Sequence, residues 1–215
     1  MGTDIHTVVA KKKSTGSLEV IGFNVAGEPR DYNSFVVLAG LRNGFGFAGF
    51  ATGDAWDVLF PPKGLPEGFS EEVEVEPFVD HFGNVQRYWS LGEHTHSYLS
   101  LEELNKIREH YRERKHRGVG VLAKEDYLYL QKTGERPRTF SLGVFGSSFY
   151  QEDDGVFDAA SEDERKRITH VRTSWIEPAL DRLYFLKCAI SELEKAAYKH
   201  GISDSEVVLV FGFDS

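Results

Sequence analysis

The segment Glu206 to Phe213 is a near-continuous apolar run with several β-branched residues, and a run of that kind forms a buried strand. Its expected neighbour is a hairpin. Residues 4 to 10 and 17 to 23 are strand-like runs joined by Lys12-Lys13-Ser14-Thr15-Gly16. Helices are expected to cover this small sheet. Phe35, Val36, Leu38, Ala39 and Leu41 recur at helical spacing over Tyr32 to Asn43, with Gly44 as the stop. Ser100-Leu101-Glu102-Glu103 is a capping box that opens a helix to about Arg117, and Lys124 to Thr133 forms another, ending at Gly134.

A second capping box, Ser161-Glu162-Asp163-Glu164, precedes the clearest periodicity in the chain. Ile168, Val171, Trp175, Ala179, Leu183, Leu186, Ile190, Leu193 and Ala197 predict a long helix, kinked or broken near Pro178 and ended by Gly201. Between about Phe45 and Val85, Pro61, Pro62, Gly64, Pro66 and Gly68 predict a long ordered loop of the sort that covers or binds ligands. The expected architecture is α+β. A small antiparallel or mixed sheet, made of the N-terminal hairpin plus the C-terminal strand, is packed by several helices in a single domain over residues 1–215.

Charge and cysteine usage restrict the partners. The net charge of −9 argues against non-specific nucleic-acid binding, which needs a basic footprint, but leaves a small anionic ligand open. Cys188 is the sole cysteine, which removes disulfide frameworks and thiolate clusters and fits a reducing compartment. The start of the chain is charged where a leader needs apolar residues, and His6 stands where N-myristoylation needs Ser or Thr. No stretch reaches the roughly 18 apolar residues that span a bilayer, so a cytoplasmic protein without membrane association is expected.

Two segments carry the candidate chemistry. In Asp4-Ile5-His6, a strand sets Asp4 and His6 on one side, where a carboxylate beside an imidazole orients a general base or supplies two metal ligands. In His94-Thr95-His96-Ser97-Tyr98, an extended His-x-His sets both rings on one face, as in transition-metal sites. A metal would need a third ligand from Asp4, His6, Glu93 or Asp214, and the spacing names neither the metal nor any cofactor. Solvent-facing strand ends and loop hydrogen bonding explain the same residues without chemistry.

The run Gly44-Phe45-Gly46-Phe47-Ala48-Gly49 fits G-x-G-x-x-G in form, yet it follows a helix and lacks a βαβ unit, so a dinucleotide site is discounted. Its glycines still permit close approach to a ligand, with Arg42 and Asn43 beside them. Gly143 to Ser148 is read as a turn, and the Lys/Arg-rich stretch from Lys106 to Arg117 as a solvated helix face. Nucleophilic catalysis is discounted, because Cys188 lies on an apolar helix and no Gly-x-Ser-x-Gly elbow is present.

These motifs are similar to those of a family of small bacteriophage and prophage proteins. The shared pieces are Met1-Gly2-Thr3-Asp4-Ile5-His6, Asp31-Tyr32-Asn33-Ser34-Phe35, Leu41-Arg42-Asn43-Gly44, Gly64-Leu65-Pro66, His94 to Leu101, and Leu209 to Ser215. They cover about a quarter of the chain, and Tyr98 and Gly212 stand where the family often has Trp. The resemblance implies a phage origin and a meeting of Asp4, His6, Arg42, His94, His96 and Asp214.

The combined expectation is a phage accessory protein in the host cytoplasm that binds, or also hydrolyses, a small phosphate-containing or nucleotide-derived ligand. Asp4, His6, His94 and His96 would serve catalysis, and Arg42, Asn43, Gly44, Gly46, Ser97, Tyr98 and Asp214 binding. His6-Thr7-Val8 and His96-Ser97-Tyr98 both depart from the paired His-x-Thr/Ser phosphodiesterase pattern. The alternative is a non-enzymatic ligand sponge, or an inhibitor that docks a host protein. A homo-oligomer is compatible with either, since the apolar stripe of the last helix suits a dimer as well as the sheet.

Overall fold

The computed structural model describes residues 3–27, 30–46, 49–144 and 148–214. The chain is α+β, with short helices and mostly antiparallel strands. It divides into two compact units, one comprising Met1–Asn43, Trp56–Glu113 and Leu180–Ser215, the other Gly44–Ala55 and Arg114–Ala179. Among the described residues, no helix is long and apolar enough to cross a membrane.

The first unit is built around the apolar run that ends the sequence. Strand β9 (Val207–Asp214) lies between β1 (Asp4–Lys12) and β5 (His94–Ser100), and β2 (Leu18–Phe23) extends the sheet beyond β1. Every residue of β9 from Val207 to Phe213 is buried, because both faces of the sheet are covered. On one side Phe213 meets Phe35 of helix α1 (Tyr32–Ala39) edge-on at 5.1 Å. Helices α2 (Leu101–Tyr111) and α6 (Tyr184–His200) also contact β9. On the other side Val8, Ala10, Val208 and Val210 pack against Val73, Val75 and Leu91. Val73 and Val75 come from a hairpin of β3 (Glu72–Val79) and β4 (Val85–Ser90). Each such fully buried aliphatic or aromatic side chain contributes about 1.5–3 kcal/mol.

Caps fix the helix starts. Ser100 and Glu103 form the expected reciprocal capping box of α2. Asp31 serves two helices: its carboxylate accepts from the Ser34 amide inside α1 and from the Phe185 amide at the start of α6. Ser34 Oγ accepts from the Leu186 amide, so the α1 start anchors the amides that α6 cannot satisfy itself.

Several boundaries differ from expectation. Helix α1 stops at Gly40, not Gly44, because Gly40 takes a left-handed conformation and donates its N–H to Val36 O. Helix α2 stops at Tyr111, and the Lys/Arg-rich stretch continues into β6 (Lys115–Ala123). The long helix does not form. Its first part is helix α5 (Glu162–Arg167) followed by strand β8 (His170–Pro178), in which Val171, Thr173, Trp175 and Glu177 are the buried members. Val171 and Trp175 satisfy both a period of about 3.6 and a period of 2, and the alternate burial of Thr173 and Glu177 decides for the strand. Strand β3 and the turn that leads into β4 likewise stand inside the segment expected to be a loop.

The second unit is organised by β6 and β8, paired antiparallel from Lys115↔Pro178 to Ala123↔His170, with β7 (Gln151–Asp153) added parallel to β8. Helix α3 (Lys124–Thr133) ends at Gly134 as expected, and α4 (Asp154–Ala159) follows β7. Their core joins Leu122, Tyr127, Leu130, Phe157, Ile168, Val171 and Trp175. The Tyr127 hydroxyl donates to Asp158 at 3.0 Å, and burial pushes its pKa up.

Candidate functional site

Strand pairing brings part of the expected set together at one end of the four-stranded sheet. Asp4 is the direct partner of Asp214, and His6 of Gly212, so these residues share one face. His6 Nε2 lies 2.9 Å from Asp214 Oδ2, and the other carboxylate oxygen of Asp214 accepts from the Asp4 amide at 3.3 Å. A carboxylate only accepts, so His6 Nε2 carries the proton and Nδ1 is the basic nitrogen of the neutral ring. The pair is reachable from solvent: the His6 side chain is 21% exposed and that of Asp214 39%.

Arg30 completes this rim. Its guanidinium holds Asp4 through two hydrogen bonds, Nε to Oδ1 and Nη2 to Oδ2, the second at 2.8 Å. The Arg30 hydrogen bond keeps the Asp4 carboxyl below the usual carboxylate range, with His6 adding to the effect. Sequence reading missed Arg30, since nothing in the local pattern around it announces a partner 26 residues away.

His96 joins the same face from β5. Gly212 has no side chain, and a Cβ there would sit 2.4 Å from His96 Cδ2 and 2.0 Å from Leu91 O, so the bare backbone is what admits the ring. A larger side chain at this position does not fit between these atoms. His96 Nε2 donates to Gly92 O at 3.2 Å, which again leaves Nδ1 as the basic nitrogen. Gly92 itself crosses the Phe213 backbone with φ 78°, a close approach and a conformation that both favour glycine.

The two histidines of His94-Thr95-His96 do not share a face. His94 pairs with Phe213 and Ser97 with Phe211, so one extra residue bulges from β5, and Thr95 takes φ 52°. The bulge turns His94 to the Phe213 side, where its ring stacks at 6.3 Å and its Nδ1 meets Thr95 Oγ1. Among the described residues, no three His, Cys, Asp or Glu side chains come together as a group that could hold a metal ion.

The remaining expected residues have other partners. Ser97 is buried and accepts from the Lys63 amide, which with the Gly64 amide on His96 O ties the preceding loop to β5. Tyr98 lies under Lys63 Nζ at 4.9 Å and borders an open groove of about 780 Å³ with Lys12, Leu18 and Pro66. Arg42 sits over the Tyr32 ring at 5.2 Å. Asn43 clamps the Trp56 backbone through Nδ2 to O and Trp56 N to Oδ1. Gly44 and Gly46 belong to the second unit, in a small turn where the amides of Gly46, Gly49 and Thr52 are used by Phe50 O, Gly46 O and Gly44 O. Phe47 and Ala48 of this run, like Phe145 to Ser147, lie outside the described residues. Those committed amides do not form an anion cradle, and the Cβ space at Gly46 is taken by Leu142.

The second unit has a His–carboxylate arrangement of its own, which sequence reading also missed by placing His116 on a helix. His116 and Glu177 are direct ladder partners of β6 and β8, 5% and 4% exposed. Glu177 accepts from Trp175 Nε1 at 3.0 Å and from Arg136 Nη1 at 3.1 Å. The alternation in His116, Gly118 and Gly120 is the signal that marks the strand. No protein-family model, curated protein or solved structure matches the chain.

Proposed function

We propose that the rim formed by Asp4, His6, Arg30, His96 and Asp214 is a general acid–base site that binds and hydrolyses a small phosphate-containing ligand. The observation that carries this reading is the His6–Asp214 hydrogen bond of 2.9 Å at a solvent-reachable sheet end. A carboxylate that fixes the tautomer and orientation of an imidazole is what a general base needs. His96, whose Nε2–H is held by Gly92 O, supplies a second imidazole on the same face, and its imidazolium form, protonated on Nδ1 as well, is the one that gives the opposite proton. Arg30 contributes the positive charge that favours an anionic substrate, moderated by its pairing with Asp4. The motif resemblance adds the setting of a phage accessory protein acting in a host cytoplasm. A sponge that holds the same ligand without turnover would use the same rim.

The test is a panel of nucleoside phosphates, cyclic nucleotides and p-nitrophenyl phosphate esters, assayed for product and for a rise in melting temperature. Hydrolysis is expected to fall about 10²- to 10⁴-fold in His6→Gln and Asp214→Asn, with the fold intact. Ligand binding that raises the melting temperature with no product in the unaltered protein identifies the sponge instead. Turnover that survives His6→Gln, or neither binding nor product across the panel, overturns the reading.

A further inference from the structure

We propose that the cleft between α4 and α5 of the second unit binds a zwitterionic small molecule with an apolar body, of the class of a free hydrophobic α-amino acid. The cleft encloses about 560 Å³, within the range of small-molecule sites. Gly155, Val156, Ala159, Ala160 and Ile168 give it an apolar lining, joined by the Tyr150 ring. Val156 and Tyr150 are half-exposed, so apolar surface stands open to water there. The walls are fixed before any ligand arrives. Arg165 donates from Nε to Phe157 O at 2.9 Å and from Nη2 to Asp158 O, which ties α5 to α4. The Tyr150 amide donates to Thr169 Oγ1 at 2.8 Å, and its carbonyl accepts from the Thr169 and His170 amides. Preformed walls lower the ordering entropy lost on binding.

Charge inside the cleft selects the occupant. Its lining holds Glu152, Glu164 and Arg167. All three act on the Tyr150 hydroxyl: Glu152 by a hydrogen bond, Glu164 and Arg167 by their charges. The three basic residues of α5 have separate uses. Arg165 holds α4, Lys166 pairs with Asp163 and Glu162, and Arg167 lines the cleft. Glu164 spends Oε2 on the Ser161 cap. Glu152 takes one phenol proton, and a carboxylate has about four acceptor positions, so it can accept more. A simple anion would meet Glu152 and Glu164, and a simple cation would meet Arg167. A ligand of both signs satisfies the set: its carboxylate accepts from the Arg167 guanidinium, and its ammonium donates to Glu152. Its apolar side chain then covers the lining. The cleft shares no residue with the acid–base rim, so either can fail without the other.

Phenylalanine is the probe, titrated by calorimetry into the whole chain. Phenethylamine, which lacks the carboxylate, and 3-phenylpropionate, which lacks the ammonium, are the comparisons. Phenylalanine is expected to bind once per chain, and each comparison compound about tenfold more weakly. Arg167→Gln should weaken phenylalanine about tenfold and remove its advantage over phenethylamine. Glu152→Gln should remove its advantage over 3-phenylpropionate. Gly155→Leu tests the cleft without altering charge. A Cβ at Gly155 meets no atom within 4 Å, so the added side chain enters the open space and should abolish binding while the melting temperature holds. All three variants should leave the phosphate-ester assay unchanged. Equal binding of the three compounds, phenylalanine binding that survives Gly155→Leu or is unaffected by Arg167→Gln, or no binding of phenylalanine overturns the proposal.

Discussion

Each unit of the molecule sets a histidine opposite or beside a carboxylate by strand pairing, and the two arrangements differ in what surrounds them. In the first unit His6 and Asp214 meet at the end of a sheet, with both side chains partly in water. In the second, His116 and Glu177 are opposite each other within a sheet and almost wholly enclosed. Both depend on strand pairing to bring residues far apart in sequence to one face. Enclosure decides their uses. Glu177 has its two oxygens committed to Trp175 and Arg136, which is how a buried carboxylate is kept stable. Asp214 holds an imidazole that solvent can reach, so a proton can leave and return there.

The contrast breaks if the two carboxylates respond alike to removal. Glu177→Ala is expected to cost about 1–3 kcal/mol in urea unfolding, because the buried Trp175 N–H loses its acceptor, while the half-exposed Arg136 charge returns to water. Asp214→Ala is expected to cost under about 1 kcal/mol, as exposed pairs do. Glycine substitutions sharpen the comparison at the next level. Gly212→Ala would place a Cβ 2.0 Å from Leu91 O, and Gly53→Ala one 2.0 Å from Arg117 O and 2.8 Å from His116 Nε2. Each is expected to lose about 1–3 kcal/mol by overpacking, but only the first should shift the His96 resonances in an NMR spectrum.

The smallest effect concerns acid. Arg30 lowers the folded-state pKa of Asp4 relative to the unfolded chain, so this pair stabilises the fold above about pH 4. That contribution is lost as pH falls through the lower folded-state value. Arg30→Ala should remove this acid-side loss, seen by comparing urea midpoints at pH 6 and pH 3.

Legibility in the sequence followed the number of signals at each element. The β1–β2 hairpin, α3 with its glycine stop, both capping boxes and β9 each have a local mark, and their positions follow from it. Strand β8 was obscured because Val171 and Trp175 fit two periods at once, and β3 because Pro and Gly in the preceding loop outweighed the strict alternation of Glu72 to Glu76. At the site, Asp4, His6 and Asp214 were legible from strand alternation and from the match of the first and last strands. The bulge at Thr95 that separates His94 from His96 has no mark in the residue types, since a positive φ at threonine is imposed by tertiary pairing. Arg30 was equally invisible, being joined to Asp4 by geometry alone.

The place of β9 at the middle of its sheet also has a consequence in time. Asp4 and Asp214 are 210 residues apart, and β5 completes the sheet on the far side of β9. A ribosome must release residue 214 before the first strand can find its central neighbour, so β1 and β2 wait as an unfinished edge until then. Closing so large a loop is slow, and the rim would acquire its His6–Asp214 bond only at that final closure. Any activity resident there would therefore switch on only once β9 has paired with β1, and no chain made short of residue 214 would show it.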